Sequence, residues 1–233
     1  ASAQGHEEPV DQLSALRGLK RGQVRVATVE SVSVALLPDL LLEFAGTYPG
    51  IQVAVTVAGS DAVTELVRDH HADIGFTFNP TAIEGLKVEL TRDLRLGAVM
   101  APGHALAGEA NLTLAQCLTW PCAWPSKGLS LRALLDRATA GLARQPQPAC
   151  ECNSLRLMAS LARRGSCIAF QTPIGIEQDL LEGTLVWIAL ADKHLPVDRL
   201  KVVRRVGLKG RPAADAFLAI VRERLPVAQS VRK

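Results

Sequence analysis

Aromatic residues are scarce: Phe, Trp and Tyr make up only 4% of the 233 residues. The chain is 48% apolar, so its core must be built from Leu, Val and Ala, and this length supports one or two domains. No apolar run approaches the ~18 residues of a membrane span. No run of like charges exceeds three residues, and the net charge of +3 is too evenly spread to argue for a nucleic-acid surface. The five cysteines, Cys117, Cys122, Cys150, Cys152 and Cys167, are odd in number and contain no CxxC pair. No histidine stands at zinc spacing from them, which argues against a disulfide scaffold or a metal centre and for free thiols in a reducing, cytoplasmic compartment. GxSxG, HExxH, P-loop and dinucleotide fingerprints are all missing. His70 and His71 end a polar helix, and His104 and His194 lie in turns without a visible partner. Enzymatic catalysis and a bound cofactor are therefore not expected. The opening ASAQGHEEPVDQ has neither the basic nor the apolar segment of a signal peptide, although a mature secreted chain would lack these too.

What is present is an alternation of strands and helices. Leu13, Leu16 and Leu19 fall at helical spacing, and Gly22 ends that segment. Val24, Val26 and Thr28 predict a strand. Leu37, Leu40, Leu41 and Phe44 then fall at i, i+3, i+4 and i+7, one face of a helix. Ile51, Val53, Val55 and Val57 alternate as a second strand, Gly59-Ser60 opens another helix, and residues 72–78 form a third strand stopped by Asn79-Pro80. Such βαβαβ spacing implies parallel pairing with helices on the sheet faces. Further on, residues 93–101 read as a strand, Thr113 to Gln116 as a capping box, and 131–140 as a helix. Asn153-Ser154 caps a helix over 155–164. Strands at 149–152, 167–170, 184–190 and 201–206 follow, with a final helix after Arg211-Pro212. The fold class is α/β with two Rossmann-like units and mixed, mostly parallel sheets. The expected division is 1–21 as a tail, 22–97 with 201–233 as the first unit, and 98–200 as the second.

The order of motifs resembles the effector-binding domain of LysR-type transcriptional regulators. It runs Leu37 to Phe44, Tyr48-Pro49, Gly59-Ser60, Ala72-Asp73-Ile74-Gly75-Phe76, Met100 to Leu106, Leu161 to Gly165 and Leu181 to Val186. Each motif is weak alone; their order and spacing over residues 22 to about 225 are specific. The resemblance implies a type II periplasmic-binding-protein-like fold with a ligand cleft between the units. It also implies a small-molecule effector, a homodimer or tetramer, and DNA contact only through an N-terminal helix-turn-helix. Residues 7–20 match only the end of the linker helix, so this chain alone is not expected to bind operator DNA. A solute-binding protein of transport type, with the same two-unit architecture, is the rival reading.

In open parallel sheets ligands sit at the carboxyl ends of strands, where helix starts offer unpaired N–H groups to an anion. By position, the resemblance places effector contacts in the polar strand-to-helix connection at Val29, Ser31, Val32 and Ser33, at the end of the third strand at Phe76 and Thr77, in the loop before the 131–140 helix at Trp124, Pro125 and Ser126, and at Asn153, Ser154 and Thr172, with Gln171 nearby. Ser31 or Ser33 could instead simply cap its own helix, and Trp124 and Phe76 could be packing residues. Glu30 stands out. An acid at the cleft lip would repel a small organic acid unless it points away or pairs with Lys127, and an inward Glu30 favours an amine-bearing effector. The sequence leaves open the effector, the operator and the sign of regulation.

Overall fold

The structure is a computed structural model that describes residues 22–207 and 211–225. The helical reading of residues 7–20 lies outside them. Its first sheet has five strands in the order β2-β1-β3-β10-β4. Here β1 is Gly22–Thr28, β2 Ile51–Val57, β3 Ile74–Phe78, β4 Leu86–Leu94 and β10 Asp198–Arg205. β1 pairs in parallel with both β2 and β3, while β10 runs antiparallel between β3 and β4. β3 is central and buried throughout, which explains why Thr77 is its only polar side chain; β2 is an edge and grows more exposed along its length. Four helices cover this sheet: α1 Glu30–Ala35, α2 Leu37–Thr47, α3 Ser60–Arg68 and α8 Pro212–Arg224. Leu40, Phe44, Val63, Val67, Phe217 and Val221 from these helices are 0% exposed, as the 3.6-residue spacing predicts.

The second lobe is smaller. β5 (Gly97–Met100) runs antiparallel between β8 (Ala169–Gln171) and β9 (Val186–Ala189). β6 (Cys122–Pro125) and β7 (Pro148–Cys152) pair in parallel, and a bridge from Cys122 to Ile168 joins them to the rest. Its helices are α4 Leu114–Cys117, α5 Ser130–Thr139, α6 Leu155–Arg163 and α7 Glu177–Leu181. The capping box on α4 is complete: Thr113 accepts from the Gln116 N–H and Gln116 accepts from the Thr113 N–H. Gly165 and Gly183 follow α6 and α7 with positive φ.

Three features depart from the sequence reading. The polar connection between the first strand and the next helix is itself the helix α1, and Trp124 and Pro125, expected in a loop, lie in the strand β6. The strand read over 93–101 is two strands, because the chain leaves the first sheet at Leu94 and enters the second at Gly97. β4→β5 and β9→β10 therefore cross between lobes, and β10 with α8 returns the chain to the first sheet. All five cysteines are free. Burial pushes the Cys117 and Cys122 thiols up to about 12, so both are inert as nucleophiles at neutral pH. His104 has partners after all: its ring meets Trp120 edge-on, its Nδ1 accepts from the Leu106 N–H, and burial lowers its pKa.

Candidate functional site

The carboxyl ends of β1 and β3 and the starts of α1 and α3 face the starts of α5 and α6 across a cleft of about 510 Å³. From the first lobe come Val29, Glu30, Ser31, the stretch Val57 to Ser60, Phe78 and Asp198. From the second come Lys127 to Leu131, Asn153 to Leu155, Gln171 and Thr172. Of the expected contacts, Val29, Ser31, Asn153, Ser154 and Thr172 line this space.

The others do not, for identifiable reasons. Val32 and Phe76 have no exposed surface and belong to the first lobe's core. Thr77 is fully buried and donates to the Ser60 carbonyl at 2.8 Å, tying β3 to α3 rather than reaching the cleft. Ser33 donates to the Glu30 carbonyl at 2.6 Å, inside α1. Trp124 is in β6, not a loop, and packs edge-on against Phe170 at 5.5 Å. Pro125 is buried in the same strand, and Ser126 donates its N–H to the Cys152 carbonyl. The capping role considered for Ser31 and Ser33 is also absent: the N-cap of α1 is Val29, and no side chain caps it. Ser31 is instead buried within α1, its hydroxyl on the cleft without a hydrogen-bond partner among the described residues.

Glu30 neither points away nor pairs with Lys127. Its carboxylate crosses the cleft and caps α6. Oε1 accepts from the Ser154 hydroxyl at 2.7 Å, and Oε2 accepts from the Leu155 N–H at 2.6 Å and the Arg156 N–H at 3.3 Å. Ser154 Oγ in turn accepts from the Leu157 N–H at 3.1 Å. An acid of the first lobe thus fills the helix start that the sequence offered to an effector anion. A carboxylate on a helix N-terminus is stabilised by unpaired N–H groups and the helix dipole. A second bridge joins Ser60 Oγ to Ser130 Oγ at 3.3 Å. A third contact is backbone: Gly175 sits at φ +97, and a Cβ there would lie 3.1 Å from Ser31 Cα. The connection after β8 can therefore press on α1 only as glycine.

Two buried residues lie at the cleft floor: Asp198, which carries no motif signal, and Gln171, expected near the contacts. Asp198 is 7% exposed and accepts from Asn79 Nδ2 at 2.8 Å. Burial raises its carboxyl to about 7 against the lowering effect of that hydrogen bond. Asn79 adopts φ 38 and also accepts from the Arg199 N–H; in sequence, Asn79-Pro80 signalled only the end of a strand. Gln171 is 3% exposed, and its Oε1 has no donor among the described residues. Its backbone carbonyl accepts from Trp187 Nε1 at 2.9 Å. Among the described residues no group of His, Cys, Asp and Glu has the arrangement of a metal site, and no helix is long and apolar enough to cross a membrane.

Comparison with known proteins bears on the family and the fold. The family described as LysR substrate binding domain matches residues 17–226. The HTH-type transcriptional regulator BbuR of Bordetella bronchiseptica is 26% identical over 195 residues, which are 84% of this chain and 60% of that protein. A protein named phosphonates import ATP-binding protein PhnC, from Anaeromyxobacter dehalogenans, is 27% identical over 208 residues, 88% of this chain and 41% of that one. The chain thus spans about half the length of these curated relatives. Among solved structures, the regulatory domain of CcmR from Synechocystis PCC6803, in complex with 2-PG, superposes with a TM-score of 0.76 at 19% identity, covering 87% of this chain and 97% of that one. That likeness concerns the fold.

Proposed function

The chain belongs to the LysR substrate-binding domain family, and on that footing we propose that its cleft receives a small-molecule effector for a transcriptional regulator. The observation that carries this reading is the 510 Å³ space walled by both lobes. Its free polar groups are few and convergent: the Ser31 and Thr172 hydroxyls and the Gln171 amide, beside the apolar Val29, Phe78 and Leu131. Such a mixture suits a small, partly apolar metabolite. CcmR's regulatory domain holds 2-PG, and a ligand of comparable size fits here.

A ligand that touches both walls favours one relative placement of the lobes over others. That preference is what the module would transmit to its neighbours in a homodimer or tetramer. DNA contact would belong to a helix-turn-helix outside this chain, in the cytoplasm, and no catalytic role is assigned.

The test is a thermal-shift screen of small metabolites on the 233-residue chain, followed by calorimetry on Ser31→Ala/Asn153→Ala. A ligand of the native state raises the melting temperature, by an amount that grows with its concentration over Kd. At least one metabolite should do so, and the double variant should bind it several-fold more weakly. If no metabolite stabilises the chain, the reading falls. If one does but the double variant binds it unchanged, those two residues leave the site.

A further inference from the structure

The polar groups of the cleft separate into two ends of opposite demand. At the floor stand acceptors. Gln171 Oε1 is buried without a donor, and the nearly buried Asp198 has a single hydrogen bond, from Asn79. The strand partners of Asp198 and Gln171 are Leu94 and Gly97, three residues apart, or about 10 Å of extended chain. Among the described residues no cation pairs with Asp198. The charged groups around it are otherwise occupied. Arg199 is bound to Asp93 on the adjoining rung, Glu30 is held by α6, Lys127 sits exposed at the rim, and Arg92 and Arg95 beside β4 are exposed.

At the rim stand donors. α3 and α5, of 9 and 10 residues, both begin at the cleft, and neither has a side-chain cap. The Ser60–Ser130 contact joins the two helix starts, and Lys127 lies beside them. The one acid in the first turn of α3, Asp61, is engaged by the Thr81 N–H and hydroxyl. The start of α6, which would otherwise attract an anion, is filled by Glu30. Of the other starts on the cleft, α1 is a helix of only six residues, so the joined starts of α3 and α5 beside Lys127 are the berth for an incoming carboxylate, and the buried acceptors face whatever lies at its other end.

We propose that the ligand of this cleft is an amino-carboxylate, its carboxylate at the joined starts of α3 and α5 and its ammonium group donating to Asp198 and Gln171. This rests on the sensor reading and narrows it to a substrate class. A simple organic acid would leave Gln171 Oε1 without a donor and the nearly buried Asp198 carboxylate with the Asn79 amide alone and no counter-charge, and buried polar groups are rarely left so. An ammonium supplies three donors and the missing positive charge.

The test uses the 233-residue chain and a panel of α- and ω-amino acids, each beside its deaminated acid and its decarboxylated amine. Binding is read by calorimetry and thermal shift. At least one amino acid should bind, and both of its truncated counterparts should bind at least about tenfold more weakly. Asp198→Asn, which keeps the acceptor for Asn79 but loses the charge, should weaken the amino acid about tenfold and leave the deaminated acid unchanged. Because burial holds the Asp198 carboxyl near 7, affinity for the amino acid should rise between pH 6 and 8, and Asp198→Asn should flatten that profile. Three results overturn the proposal: a deaminated acid that binds as tightly as its parent, an amino-acid affinity indifferent to Asp198→Asn, or no binding by any panel member at about 10 mM. A cleft ligand without an amine would overturn the ligand class while leaving the sensor reading intact; the broader metabolite screen decides the sensor reading separately.

Discussion

Glu30 shows how a single side chain can change what a site offers. Three donors of the α6 start converge on its carboxylate, at 2.6 to 3.3 Å. Charge-assisted bonds of this kind are worth more than neutral ones, and here they join two lobes rather than two turns of one helix. A double-mutant cycle of Glu30→Ala and Ser154→Ala, read by denaturant unfolding, should give a coupling energy of about 1 kcal/mol. A Glu30–Lys127 cycle should be additive. Additivity in the Ser154 cycle would mean that the Leu155 and Arg156 N–H groups, and not the Ser154 hydroxyl, hold the carboxylate. The sequence could flag Glu30 as anomalous but could not supply its partner, which lies 124 residues away. Asp198 and Asn79 were invisible for the same reason: their pairing spans 119 residues and leaves no local pattern.

Local pattern located most of the elements. β1, β2, β3, α2, α6 and α8 follow from hydrophobic spacing, Pro38, the Asn153-Ser154 cap and Pro212, because each element's own period and caps decide it. α1 was missed because Glu-Ser-Val-Ser reads as a turn; its buried face, Ser31 and Val32, is too short to show a period. β6 was missed because its four residues are all buried and carry no alternation. The site residues suffered correspondingly: Trp124 and Pro125 moved from an expected loop into that strand, and the hydroxyls of Ser31 and Ser33 were divided by α1 into one on the cleft and one turned inward on the helix. The crossing from β4 to β5 has its own signature in Gly97. A Cβ at that position would collide with the Trp187 ring and lie 2.7 Å from the Ile188 carbonyl. Gly97→Ala should therefore displace Trp187, break its hydrogen bond to the Gln171 carbonyl, and cost about 2 kcal/mol of stability. Denaturant unfolding of the variant measures this; a change within experimental error would mean that Trp187 has space to move.

At the level of the whole molecule, two lobes with separate cores are joined by two crossing connections and by contacts across the cleft. Glu30 on α6, Ser60 on Ser130, and Gly175 on Ser31 hold the lobes together without a shared apolar core of the size found in either lobe. Polar contacts of this number are readily exchanged, so a ligand bridging the walls can bias the placement of one lobe on the other. Hydrogen exchange, compared with and without a metabolite that raises the melting temperature, tests this directly. Slowed exchange is expected on both walls at once, at the starts of α1 and α3 and at the starts of α5 and α6. Protection confined to one lobe, or lying away from the cleft, would contradict it.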